Sequence, residues 1–125
     1  MKRKILVVDD SALARRLSRK ILEEMGYEVE EALGGAEALE QYALGKHDLV
    51  ILDMLMTGMY GLEVLHKLKE LNPSLPVIVA TADIQRSTRD QVKEGGASAM
   101  VNKPINKDEL AEMLELVWNG GTSWS

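Results

Sequence analysis

A chain of 125 residues is long enough to bury the core of one domain, and without cysteine it holds neither disulfides nor thiolate metal sites. Its net charge of −5 argues against direct nucleic-acid binding, which needs a basic surface. No apolar run reaches the roughly eighteen residues of a membrane span, and only a short apolar run follows the basic start. We therefore expect a cytoplasmic protein that does not insert into membranes.

In the first half of the chain, an apolar run followed by a helical pattern occurs twice. The first run predicts a strand at about Lys4–Val8, and Ser11 is the expected N-cap of the helix after it. One apolar stripe of this helix carries Leu13, Leu17 and Ile21. The second pair is a strand at about Tyr27–Ala32 and a helix at about Gly35–Leu44. Glycines close the two helices, at Gly26 and Gly45.

Three more strand and helix pairs follow. The predicted strands lie at about Asp48–Leu52, Pro76–Thr81 and Ala97–Asn102. The third and fourth helices are predicted at about Gly61–Leu71 and Ile84–Gly95. The fifth helix is predicted to begin after its N-cap Asn106. The fourth helix has few apolar positions, so we expect it to be loosely held. The domain is predicted to span residues 1–118, followed by a flexible tail at 119–125.

Strands that alternate with helices predict right-handed crossovers and a parallel sheet covered on both faces. The carboxyl ends of such strands open onto one rim, where this architecture binds ligands. Residues that handle phosphate or its metal follow four of the runs: Asp9, Asp10, Asp53, Thr81 and Lys103. We therefore expect three carboxylates, a hydroxyl and an ammonium group to meet in one crevice.

Three carboxylates in one crevice repel each other, unless one is protonated or a cation lies among them. Hard oxygen ligands without cysteine favour Mg²⁺, with Mn²⁺ as an alternative. Asp9 and Asp10 are the predicted metal ligands, and Asp53 is the candidate nucleophile that would form an aspartyl phosphate. Thr81 would donate to a phosphoryl oxygen, and Lys103 would supply a second positive charge.

These residues carry a resemblance to bacterial response-regulator receiver domains of the CheY type, over about residues 3–118. The matching segments are Ile5–Ser11, Asp48–Met54, Gly58–Gly61, Pro76–Ala82 and Gly95–Pro104. The resemblance implies a flavodoxin-like, doubly wound α/β fold with strand order 2-1-3-4-5. It also implies phosphoryl transfer from a histidine kinase or a histidine phosphotransfer protein to Asp53, and a cis Lys103–Pro104 bond.

The resemblance further implies that Mg²⁺ is held by Asp10, Asp53 and the backbone carbonyl of Leu55, with Asp9 acting through water. Thr81 and Lys103 would contact the phosphoryl oxygens. Phosphorylation would change the face formed by the fourth and fifth strands and helices, and an unknown output protein would bind there. We expect a monomer or a weak dimer that regulates rather than catalyses.

The sequence departs from the family pattern at two positions that bear on switching. Thr57 stands where a proline is usual, which predicts a less rigid loop. Met100 stands where the family usually has the tyrosine or phenylalanine that moves with Thr81, so this coupling is weakened or replaced. Two further positions, Leu55 and Asp83, lie where the family tunes water access and dephosphorylation.

Other function classes on a similar fold fit this sequence less well. A phosphohydrolase with an aspartate nucleophile typically has a second Asp where this chain has Leu55. A flavin-binding module needs a phosphate-cradling loop where Asp9 and Asp10 would repel phosphate. A receiver that serves as a non-phosphorylated scaffold, and a receiver excised from a larger regulator, stay open as alternatives.

Some residues were interpreted as surface. The basic cluster of the first helix predicts a solvated face, with a docking patch for an acidic partner as the alternative: Arg15, Arg16, Arg19 and Lys20. His47 and His66 lie on different elements and were both placed on the surface. Trp118 was expected to pack at the end of the fifth helix.

Overall fold

The computed structural model describes residues 2–54, 61–82 and 85–124, and within them strands and helices alternate five times. The strands are β1 Lys4–Val8, β2 Glu28–Ala32, β3 Leu49–Asp53, β4 Val77–Thr81 and β5 Ala99–Asn102. The helices are α1 Ala12–Glu24, α2 Gly35–Gly45, α3 Gly61–Leu71, α4 Arg86–Glu94 and α5 Lys107–Trp118. Every helix in these ranges is too short or too polar to cross a lipid bilayer.

All strand pairs are parallel, and the strands lie in the order β2-β1-β3-β4-β5. The predicted doubly wound α/β fold and its strand order are therefore confirmed. The sheet places β1, β3, β4 and β5 side by side, and these are the strands that precede the predicted site residues. β3 runs one residue further than predicted, because Asp53 pairs with Ala80.

Successive side chains of the central strands enter two separate apolar cores. On one face, Leu6, Val50 and Val79 belong to the core that includes buried side chains of α2, α3 and α4. On the other face, Ile5 and Ile51 pack with α1 and α5. Burying one such side chain contributes about 1.5–3 kcal/mol. The uninterrupted apolar runs therefore reflect a sheet that is covered on both sides.

Predicted caps form where the sequence indicated them. The Ser11 side chain accepts a hydrogen bond from the Ala14 N–H at 3.2 Å, and Asn106 accepts one from the Glu109 N–H at 3.0 Å. Gly26 follows α1 with a φ of +95°, a conformation in which glycine carries no Cβ penalty. These caps define the entry and exit angles of the helices that flank the rim.

The predicted apolar stripe of α1 is exposed in its first two turns. Leu13 is 77% exposed and Leu17 is 41% exposed, whereas Ser18, Ile21 and Leu22 are buried. The buried residues of the helix therefore lie in its second half. The spacing of apolar residues identifies one face of a helix, but it does not say how much of that face is covered.

His47 was predicted on the surface and is instead buried, with its side chain 0% exposed. Its Nε2 lies 2.6 Å from the Glu30 carboxylate, and its ring stacks on Tyr42 at a centroid distance of 6.2 Å. A Cβ on Gly45 would lie 2.8 Å from this imidazole, so glycine makes room for it. Gly45 is the last residue of α2, and Lys46 takes the left-handed conformation predicted for the glycine. His66 is exposed, as expected.

α4 is shorter than predicted and begins at Arg86 instead of Ile84. Val92 is the buried side chain of this helix within its described residues. Ile84, which was expected to help anchor it, and Asp83 lie outside the described residues. α3 ends at Leu71, before Asn72 and Pro73, as predicted.

Candidate functional site

The four strand ends predicted to carry the site lie next to each other at one rim of the sheet. The register pairs Val8 with Leu52, so Asp9 follows β1 directly beside Asp53 on β3. In the same way, Thr81 at the end of β4 pairs with Asn102, which precedes Lys103. The Lys103 N–H donates to the Thr81 carbonyl at 3.0 Å and extends the pairing by one residue. The rim therefore collects residues from four separate parts of the chain.

Lys103 lies between two buried carboxylates. Its Nζ is 2.9 Å from Asp9 Oδ2 and 3.4 Å from Asp53 Oδ1. Burial lowers the pKa of Lys103, but the hydrogen bond to Asp9 and the charges of Asp53 and Asp9 outweigh it and raise this pKa above its ordinary value. The ammonium group stays charged at neutral pH and offsets part of the repulsion between the carboxylates.

Asp9, Asp10 and Asp53 form an acidic cluster beside this ammonium group. One carboxylate oxygen from each lies within 4.8 Å of the others, with Asp9 and Asp53 buried and Asp10 exposed. One ammonium does not balance three carboxylates, and oxygen donors at this spacing suit a hard divalent cation. The cluster could therefore hold a metal ion. Leu55, the predicted carbonyl ligand, lies outside the described residues, as does Thr57.

Asp9 is held by its backbone and by its side chain. Its N–H donates to the Ala32 carbonyl at 3.1 Å, and its Oδ1 accepts the Ser11 N–H at 2.9 Å. Its carbonyl accepts a hydrogen bond from Arg15 Nη1 at 2.7 Å. With Lys103 on its second carboxylate oxygen, Asp9 has little freedom to move.

The role of Arg15 was missed by the sequence reasoning, which placed it on a solvated face. Its side chain is 12% exposed and bonds both the Asp9 carbonyl and Glu31, at 2.7 and 3.2 Å. Arg19 reaches the same Glu31 at 2.7 Å. The basic cluster is thus partly paired with β2. Nothing in the helical spacing distinguishes an arginine that turns back toward the strand ends from one that faces water.

Thr81 and Met100, the predicted switch residues, lie on neighbouring strands. Thr81 is 1% exposed at the end of β4. Met100 pairs with Val79, two residues before Thr81, and packs half-buried against the core on the α2, α3 and α4 side. The structure therefore brings Met100 to the layer that contains α4.

The first turn of α3 approaches the backbone of Asp53 closely. The Gly61 N–H donates to the Met54 carbonyl at 3.1 Å. A Cβ on Gly61 would lie 2.5 Å from the Asp53 carbonyl oxygen and 2.8 Å from the Met54 Cα. Glycine is therefore required where α3 packs on the end of β3, next to the acidic cluster.

An open cavity of about 390 Å³ adjoins the rim on the α1 side. Asp9 and Lys103 lie at its polar end, and the exposed Leu13 and Leu17 line its apolar side. Pro104 borders it after a cis Lys103–Pro104 bond, the isomer implied by the resemblance. The polar rim thus continues into a cavity with an apolar side.

Comparison with known proteins finds one family that matches most of the chain. The family model of the response regulator receiver domain matches residues 5–115. The chain is 32% identical over 118 residues to the chemotaxis protein CheY of Thermotoga maritima, covering 94% of this chain and 98% of that protein. It is 34% identical over 115 residues to sporulation initiation phosphotransferase F of Bacillus subtilis, covering 92% and 93%.

Solved structures share this fold, and some relatives in sequence are longer than this chain. CheY4 of Vibrio cholerae superposes with a TM-score of 0.88 at 30% identity, covering 92% of this chain and 98% of that one. A CheY-like receiver protein of Methanospirillum hungatei gives 0.90 at 29%, covering 96% of each. The transcriptional regulatory protein ResD of Bacillus subtilis is 38% identical over 107 residues, which cover 86% of this chain but 44% of ResD. The chain thus spans less than half the length of some relatives.

Proposed function

The chain belongs to the response regulator receiver family, and we propose that it is a signalling switch in which Asp53 accepts a phosphoryl group. The donor is a histidine kinase or a histidine phosphotransfer protein. Transfer forms a bond between an Asp53 carboxylate oxygen and phosphorus while the bond from the donor histidine nitrogen to phosphorus breaks. The histidine nitrogen leaves with the electron pair of the broken bond.

One observation supports this assignment most strongly: Lys103 Nζ lies within 3.4 Å of Asp53 Oδ1 while it also bonds Asp9. A phosphoryl group on Asp53 would bring negative charge against this ammonium group, which is already in place. Thr81 ends the neighbouring strand and would donate its hydroxyl to a phosphoryl oxygen. Lys103 would therefore meet the incoming charge from its present position.

The acidic cluster is the proposed Mg²⁺ site, with Mn²⁺ as an alternative. Asp10, Asp53 and the Leu55 carbonyl would hold the ion, and Asp9 would act through water. Bound Mg²⁺ would supply the positive charge that offsets the carboxylates and the transferred phosphoryl group. The oxygen-only donor set, with its members within 4.8 Å of each other, fits such an ion.

Phosphorylation would act on the face formed by β4, α4, β5 and α5. α4 buries Val92 alone within its described residues, so little apolar contact opposes its movement. Met100 would fill the space next to α4 in the role the family usually gives to an aromatic ring. The face would then bind an output protein, from a cytoplasmic monomer or weak dimer without direct contact to nucleic acid.

Intact-mass measurement tests the acceptor. Incubation with acetyl phosphate and Mg²⁺ should add one phosphoryl mass to the wild-type chain, and Asp53→Asn should abolish it because an amide is not a nucleophile of comparable strength. Asp108→Asn is the matched control, since Asp108 is an exposed aspartate in the first turn of α5 and does not belong to the acidic cluster. It should label like wild type.

Two outcomes would contradict the assignment. Labelling of Asp53→Asn at the wild-type level would place the acceptor elsewhere. An unlabelled wild-type chain, in conditions where Mg²⁺ binding is measurable, would favour the alternative of a scaffold receiver that has lost phosphorylation.

A further inference from the structure

The chain reverses direction directly after α5. Gly120 has a φ of +82°, its N–H donates to the Val117 carbonyl at 2.9 Å, and the Gly121 N–H donates to the Leu116 carbonyl at 3.0 Å. These two bonds form a Schellman motif, in which a left-handed glycine ends the helix. The residues that follow turn back toward β5. Residues 120–124 are called the return segment below.

The return segment crosses the free edge of the sheet and ends in the opposite helical layer. The Ser123 N–H donates to the Ser98 carbonyl at 3.0 Å, and the Trp124 Nε1–H donates to the Ala97 carbonyl at 2.8 Å. The Trp124 indole packs against the core on the α2, α3 and α4 side, although α5 belongs to the other side. The segment therefore connects the two layers across the start of β5.

Arg89 of α4 contacts the return segment twice. Its guanidinium carbon lies 5.0 Å from the centroid of the Trp124 ring, within cation–π distance. Its Nη2 donates to the Ser123 carbonyl at 3.4 Å. Because α4 buries only Val92 within its described residues, these contacts add a second attachment to a helix with few others.

We propose that the return segment is an intramolecular brace, which holds α4 against the start of β5. A movement of α4 would separate Arg89 from Trp124, so the brace favours the present arrangement. The consequence for signalling depends on the proposed function: a phosphorylated state that moves α4 would have to release Trp124. The brace would then weaken the binding of a phosphoryl analogue, because binding has to release it. Removing the brace would strengthen this binding by the same factor.

Hydrogen exchange of the α4 amides, residues 86–94, tests the brace without phosphorylation. Trp124→Ala and Arg89→Ala should each speed this exchange roughly 2- to 5-fold, the range expected for losing one exposed cation–π contact. Arg86→Ala is the matched control, because it removes an exposed arginine from the same helix. Trp124→Phe keeps a ring over Arg89 and should fall between wild type and Trp124→Ala. Unchanged exchange in both Trp124→Ala and Arg89→Ala would overturn the brace.

Quenching of Trp124 fluorescence by acrylamide tests the coupling to the rim. In Trp118→Phe protein Trp124 is the single tryptophan, and its quenching should rise when beryllofluoride and Mg²⁺ mimic phosphorylation. Unchanged quenching, in protein that does gain a phosphoryl mass with acetyl phosphate, would overturn the coupling. Failure to gain that mass would instead overturn the proposed function, and the exchange experiment would still decide whether the brace exists.

The contacts of residues 120–124 describe where the segment lies when docked, and the flexible tail expected at 119–125 stays a prediction. A brace that docks and releases is compatible with both, and the quenching experiment reports how much of the time Trp124 is docked.

Discussion

Lys103 connects the residues of the rim, because its ammonium group lies 2.9 Å from Asp9 and 3.4 Å from Asp53. The two neighbouring acidic residues differ in burial. Asp9 is buried and already accepts from Lys103 and from the Ser11 N–H, whereas Asp10 is exposed. Of this adjacent pair, Asp10 is therefore better placed for a direct contact to a metal ion, and Asp9 for an indirect one.

This difference predicts the order of two variants. Asp10→Ala should weaken Mg²⁺ binding by roughly tenfold or more, the scale on which loss of a metal-site partner acts, and Asp9→Ala should weaken it less. Isothermal calorimetry with MgCl₂ on both variants and on the wild-type chain measures the order. A larger loss in Asp9→Ala would identify Asp9 as the direct ligand.

At the level of elements, the site depends on how closely helices approach the strand ends. α3 buries four residues, including Gly61, which contacts the backbone that carries Asp53. α4 buries one residue within its described range, so it is less firmly attached than α3. The more deeply packed helix contacts the strand that carries Asp53, and the other helix has less apolar contact to hold it. This contrast fits the proposed switch on the face that contains α4.

Gly61→Ala should destabilise the fold by about 1–3 kcal/mol, because its Cβ would overlap the Asp53 carbonyl and the backbone has no space to yield. Gly34→Ala is the control, since no atom lies within 4 Å of its added Cβ, and it should cost under about 1 kcal/mol. Urea unfolding measures the stability of both variants. Each replaces a glycine by alanine, so the effect on the unfolded chain is similar in the two. Equal stabilities would show that α3 can shift away from β3.

Across the whole molecule, ion pairs connect elements that the hydrophobic core also joins. Arg15 and Arg19 of α1 both reach Glu31 of β2, at 3.2 and 2.7 Å. The hydrogen bond from Arg19 is the main cause that lowers the pKa of Glu31; burial opposes it, and Arg15 adds to it. A carboxyl whose pKa is lower in the folded state stabilises the fold above its unfolded pKa. That contribution is lost as the pH falls through the folded value.

Glu31→Gln should therefore lower the free energy of unfolding at pH 7 by roughly 0.5–1 kcal/mol, the range of partly exposed pairs. The difference from wild type should shrink as the pH falls from 4.5, the ordinary pKa of this carboxyl, through its lower folded pKa, because below that value the wild-type Glu31 is protonated in both states. Urea unfolding at pH 7 and at acidic pH measures both differences. A difference that stays constant with pH would assign the effect to packing rather than charge.

The strand order was implied by the resemblance to the family. The sequence pattern itself predicted the alternation of strands and helices, the caps at Ser11 and Asn106, and the rim that collects Asp53 and Lys103. These features were predictable because they depend on local patterns: apolar runs, cap residues and residues that directly follow strands. Their roles in phosphoryl transfer and metal binding stay predictions until the variants are measured. The pattern did not reveal His47 in the core, since a lone histidine carries no periodic signal.

What sequence by itself determined is the order of the elements and the set of chemical groups at one edge of the sheet. Only the tertiary structure decided the exposure of Leu13, the turn of Arg15 toward Asp9, and the return of Trp124 to Arg89 of α4. The physical reason is distance along the chain. Neighbouring residues choose secondary structure, whereas the direction of a long side chain and the path after a helix depend on surfaces built by residues far away in sequence.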